Sequence, residues 1–160
     1  MHMPLTVSRA AHPPLEFRQR YVGVEATIHT ARQDLQRALT PLSADGDLID
    51  AAVTCLSELA TNAVRHVTRG RVTESYVVAA ALLRPRARLR IEVHDAEHAP
   101  LPVWPPRALL DVDSDSTSGR GLPIVSALSA AVGYTFTPGA GKLVWCELPV
   151  TVPAMSFRSQ

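Results

Sequence analysis

The stretch Cys55-Leu56-Ser57-Glu58-Leu59-Ala60-Thr61-Asn62-Ala63-Val64-Arg65-His66 decides how the rest of the chain is read. Around it Leu48, Ile49, Val53, Leu56, Leu59, Ala60, Ala63 and Val64 recur at three- and four-residue steps, which predicts a long amphipathic helix ending near His66. Glu58, Asn62 and His66 stand four apart, so their side chains share one narrow band of that helix. A carboxylate and a carboxamide one turn apart can hold a hard cation and poise a water or hydroxyl beside it. A solvated helix face explains the same pattern, and the choice between them depends on what lies downstream.

Working outward, Ser43-Ala44-Asp45-Gly46-Asp47 reads as the turn and cap opening this helix, and Pro41 closes an earlier one predicted over 25–39. Residues 15–24 read as an edge strand. After Arg69-Gly70-Arg71, the run Tyr76-Val77-Val78-Ala79-Ala80-Ala81-Leu82-Leu83 is apolar enough for an interior strand. Leu89-Arg90-Ile91-Glu92-Val93-His94-Asp95 then alternates as a half-buried strand should, and the short connection predicts an antiparallel hairpin. Periodicity disappears over 96–118, a length of irregular chain that reads as a functional lid. A helix is expected over 121–131, then strands near 133–137 and 143–150. Residues 1–14 read as a leader, 15–152 as one domain and 153–160 as a tail.

Composition narrows the function. With 160 residues, 46% apolar and 19% charged, the chain is long enough for a proper core and is not of disordered type. Aromatics make up only 5%, so Ala, Val and Leu must build that core. Sixteen basic against fifteen acidic residues, a net charge of +1, give no electrostatic case for nucleic acid. No apolar run approaches the roughly 20 residues of a membrane span, and no signal-peptide core is seen. Cys55 and Cys146 belong to no CxxC pair and read as reduced, buried thiols of a cytoplasmic protein.

Two further motifs carry chemistry. Ser118-Gly119-Arg120-Gly121-Leu122-Pro123 brings glycines to the start of a helix, where backbone N–H groups and the dipole favour an anion and Arg120 can add charge-assisted bonds. It is neither GxxxxGK[ST] nor GxGxxG, and taken alone it is better explained as a glycine turn into a packed helix. Asp95 ends a strand, as turn aspartates commonly do, and its carboxylate can accept from an exocyclic amine. His66 fits either a phosphate contact or a cap on the helix C-terminus, with capping the preferred reading. A metal site from His94, Asp95 and His98 finds no matching ligand pair beside it. Ser57 lies inside a helix rather than at a strained turn, so it is no hydrolase nucleophile.

Taken in order, Glu58-Leu-Ala-Thr-Asn62-Ala-Val-Arg65-His66, Asp95, Gly119-Arg120-Gly121-Leu122-Pro123-Ile124-Val125 and Gly139-Ala-Gly-Lys-Leu-Val-Trp-Cys-Glu-Leu-Pro149 resemble the boxes of the GHKL ATPase superfamily. The likeness is greatest to its small branch of anti-sigma-factor serine/threonine kinases. The resemblance implies an α+β fold, a two-layer α/β sandwich of Bergerat type with helices on one face of a mixed, mainly antiparallel sheet. It implies ATP and Mg²⁺ as cofactors, with Glu58 the general base, Asn62 the Mg²⁺ ligand, and Asn62, Arg65, His66, Asp95, Gly119, Arg120, Gly121 and Leu122 around the nucleotide. Asp95 would read adenine. The implied partners are a sigma factor or its anti-anti-sigma antagonist, with a homodimer as one possible assembly. The chain departs from the family where Ala96-Glu97-His98-Ala99 replaces glycines after Asp95, and where Leu143 stands at a position often threonine or serine. Those departures leave a second expectation open, a non-catalytic scaffold that acts as a sigma-regulatory interaction module.

Overall fold

A computed structural model describes residues 15–42, 45–67, 75–83, 87–95, 121–137 and 141–151. The expected lid, the leader, the tail, and the residues Gly119 and Arg120 lie outside the described residues. In chain order the elements are β1 (Glu16–Val22), α1 (Ala26–Leu39), α2 (Gly46–Val67), β2 (Ser75–Leu83), β3 (Arg88–Asp95), α3 (Gly121–Leu128), β4 (Ala131–Thr137) and β5 (Gly141–Pro149). The strands form one five-stranded sheet in the order β1-β2-β3-β5-β4. All four pairings are antiparallel, the limiting case of the mainly antiparallel sheet expected. Among the described residues no helix is long and apolar enough to cross a membrane.

The core follows from the sequence periods. On α2, Leu48, Ala52, Cys55, Leu56, Leu59, Ala60, Ala63 and Val64 are buried. They pack against Val78 and Ala80 of β2, Leu89, Ile91 and Val93 of β3, and Cys146 and Leu148 of β5. Small Ala and Cys positions let this central helix lie close to the sheet, while α1 and α3 flank it. Its start is held by Asp45, whose Oδ1 accepts from the backbone N–H groups of Asp47 at 3.1 Å and Leu48 at 3.2 Å. Two of the orphan donors of the first turn are thereby satisfied. Tyr21 ties β1 to α1 by donating to Asp34 Oδ2 at 2.9 Å, and its ring stacks on Tyr76 with centroids 5.4 Å apart.

The helix expected over 121–131 ends earlier, at Leu128. Ala130 N–H donates to the Glu147 carbonyl at 2.8 Å, and Ala131 already pairs with Glu147 in the sheet. An edge pairing with β5 thus captures residues whose local pattern would have continued the helix.

The helix-free face of the sheet is polar. Arg90 donates to Glu92 at 2.6 Å and to Glu147 at 3.2 Å, His94 lies 3.2 Å from Glu92, and the Arg90 guanidinium sits 4.1 Å from the Trp145 ring centroid. Burial pushes the Glu92 carboxyl up, but hydrogen bonds from Arg90 and His94 outweigh it and leave the group below the usual carboxylate range.

Candidate functional site

Burying its apolar stripe forces α2 to present one flank toward the C-terminal end of β3 and the start of β5. Asn62 lies on that flank. Together with Leu59 and Ala63 of α2, Val93 and Asp95 of β3, Leu122 of α3, and Lys142 and Val144 of β5, it lines a narrow cleft. Three of the residues singled out from the sequence, Asn62, Asp95 and Leu122, therefore meet in one place although the chain separates them by 33 and 27 positions.

The others are placed less closely. Glu58 is half-buried one turn before Asn62, and Arg65 is exposed near the end of the helix. His66 belongs to the backbone of α2, but its side chain lies outside the described residues. Gly121 opens α3, putting the N-terminus of that helix beside Leu122 at the cleft. Ser57 Oγ is engaged within α2, donating to the Val53 carbonyl at 2.8 Å, as expected of a hydroxyl inside a helix.

Asp95 is not the open strand-end carboxylate that its position suggested. It pairs in register with Lys142 across β3 and β5, and its Oδ2 lies 3.6 Å from Lys142 Nζ. Both side chains are nearly sealed from solvent, at 2% and 4% exposure. Gly141 opens β5 one residue before Lys142, and its φ of 94° is a left-handed conformation open to glycine. Leu143 was the position marked as altered. In the structure it pairs with His94, on the opposite side of the pleat from Lys142 and Val144, so the residue that faces Asp95 is Lys142.

Sequence reasoning missed Lys142, although a signal was present. Lys142 shares the phase of Val144, Cys146 and Leu148, the apolar set of β5, and a cation on the buried phase of a strand demands a buried partner. Below the cleft, the buried thiols of Cys55 and Cys146 meet between α2 and β5, with Ser129 Oγ 4.0 Å from Cys55 Sγ. Contact with Cys55 and burial both hold the Cys146 thiol in its protonated form.

Chemically, the cleft offers a carboxamide, a buried carboxylate, a buried ammonium and a helix start, between apolar walls from Leu59, Val93, Leu122 and Val144. These groups are of the kinds that recognise a heterocycle carrying a charged tail, although the cleft as it stands has room for little more than a water.

Residues 24–147 match the histidine kinase-like ATPase domain family. In structure the chain is similar to the crystal structure of the RsbU and RsbW domains of Rv1364c from Mycobacterium tuberculosis, with a TM-score of 0.58 and 19% identity over 88% of this chain and 33% of that one. At that identity the likeness is one of fold, and this chain spans about a third of the length of the protein it matches. No curated protein matches it.

Proposed function

The chain belongs to the histidine kinase-like ATPase domain family, and from that premise we propose that its cleft binds ATP with Mg²⁺ in the service of a protein serine/threonine kinase of the anti-sigma type. The observation that carries this reading is the convergence of Asn62, Asp95 and Leu122 on one cleft at the start of α3. The residues fit the nucleotide in kind. The Asn62 carboxamide oxygen is a ligand for a hard cation, and the Asp95 carboxylate is an acceptor for an exocyclic amine. The first N–H groups of α3, at Gly121 and Leu122, suit phosphate oxygens. Arg65, His66, Gly119 and Arg120 are assigned to the nucleotide on the sequence resemblance alone.

Bound ATP supplies the phosphoryl group, and phosphoryl transfer asks the protein mainly for position and charge neutralisation. Glu58, one helical turn from Asn62, takes the proton from a serine or threonine hydroxyl of a protein partner. A sigma factor or its antagonist is the proposed partner class and the cytoplasm the proposed setting, both resting on the sequence resemblance, with a homodimer as a compatible assembly.

A second reading has an observation of its own. Lys142 is paired at 3.6 Å with Asp95, the residue a base would use, which favours a non-catalytic module that keeps the fold and acts through protein contacts. Calorimetry of ATP binding with and without Mg²⁺, on the native chain and on Asn62→Ala, tests the site. Binding that requires Mg²⁺ and is lost in Asn62→Ala supports a live nucleotide site, and no binding by the native chain at millimolar ATP supports the module.

A further inference from the structure

We propose that Lys142 is a built-in competitor of the nucleotide base, a latch whose ammonium takes the place on Asp95 that a base amino group would take. This rests on the nucleotide reading of the cleft and adds a specificity and gating residue to it. Asp95 and Lys142 stand directly opposite each other in the β3–β5 register, line the same cleft as Asn62 and Leu122, and meet at 3.6 Å with both side chains almost fully buried. A base entering beside Val93 and Leu122 encounters a carboxylate already engaged by a charged donor.

The competition is unequal. At 3.6 Å the contact is an ion pair rather than a hydrogen bond, and in a buried cleft the full charge of the ammonium attracts the carboxylate more strongly than the partial charge of a neutral exocyclic amine does. Displacement also takes the Lys142 ammonium away from a buried counter-charge, in a cleft lined by Leu59, Val93, Leu122 and Val144. Entry of the base is therefore coupled to release of Lys142. In the latched form, affinity for a nucleotide comes from its phosphates and its cation, and the base adds little.

The native protein and a Lys142→Thr variant, whose hydroxyl is neutral and too short to reach across the cleft, are titrated by calorimetry in the presence of Mg²⁺ with ATP and with inorganic tripolyphosphate. Folding of the variant is checked by circular dichroism. The expected result is that native protein binds the two ligands within about threefold of each other, while Lys142→Thr binds ATP at least about tenfold more tightly and tripolyphosphate unchanged. A native preference for ATP of about tenfold or more overturns the latch, because the base is then engaged with Lys142 in place, and it does so without any variant. A folded Lys142→Thr that gains no affinity for ATP overturns it as well. In both cases tripolyphosphate binding leaves the nucleotide reading standing. Failure of every folded form to bind either ligand overturns that reading and the latch together.

Discussion

The Asp95 carboxylate and the Lys142 ammonium face each other at 3.6 Å inside the core, joined across β3 and β5 rather than along one element. Removing one partner of a buried ion pair typically costs about 3–5 kcal/mol. Asp95→Leu and Lys142→Met alone are each expected to lower unfolding free energy by that order, whereas the double change Asp95→Leu/Lys142→Met recovers most of it. Chemical denaturation of the four proteins, treated as a double-mutant cycle, measures the coupling. Additive losses would remove the pair from the account of this cleft.

Glu58 and Asn62 separate binding from transfer. Glu58→Gln keeps the size of the side chain and removes the base, so nucleotide affinity stays while phosphorylation of a protein acceptor falls by about 10²–10⁴-fold. Asn62→Ala loses the Mg²⁺-dependent part of the affinity instead. Equal loss of binding in both variants would contradict these roles.

Gly133 lies opposite Trp145 between β4 and β5, and a Cβ at Gly133 would fall 2.5 Å from the indole Cζ2. The Trp145 ring also stacks with Arg90, which limits how far it can move away. Gly133→Ala is expected to cost about 1–3 kcal/mol through overpacking and to shift the tryptophan fluorescence. Adding Trp145→Ala removes the clash, so the cost of Gly133→Ala on that background falls to near zero.

Acid weakens the helix-free face of the sheet. Burial raises the Glu92 carboxyl, but Arg90 and His94 hold it lower on balance. The folded state therefore binds fewer protons there than the unfolded state, and this stabilisation is present above the unfolded value of about 4.3 and lost as pH falls through the lower folded value. Unfolding free energy measured from pH 6 down to 3 should drop more steeply for the native protein than for Glu92→Gln. Parallel curves would mean that the Arg90–Glu92–His94 contacts contribute nothing measurable.

The cysteines serve as a reporter of global opening. Cys55 and Cys146 are both fully buried, and the Cys146 thiol is held protonated. Neither should react with an aromatic disulfide reagent in native buffer, and both should react at the rate of unfolding as denaturant is added. Fast labelling of one thiol under native conditions would place it outside the core.

The elements were legible because each is written in a local period. The Leu48-to-Val64 stripe specifies α2, the alternation of Leu89, Ile91 and Val93 specifies β3, and Asp45 announces the helix start that it caps. The end of α3 was misread by a few residues because Ser129, Ala130 and Ala131 suit a helix locally, and only the Ala130–Glu147 hydrogen bond and the pairing with β5 stop it. Within the candidate site, the residue types and spacing single out Asn62, Asp95 and Leu122, and the fold brings them to one cleft. Lys142 was passed over for Leu143 because a one-residue shift in strand phase moves a side chain to the other face of the sheet.

The sequence by itself determined the secondary elements, an apolar core built with few aromatics, and the chemical kinds of group available for a site. Those depend on hydrophobic period, capping and residue type, which act over a few neighbours. Only the tertiary structure decided that strands 47 positions apart place an ammonium on the carboxylate of Asp95. That contact depends on the β3–β5 register and on the pleat phase of Lys142, and a buried charge accepts the nearest counter-charge the fold delivers.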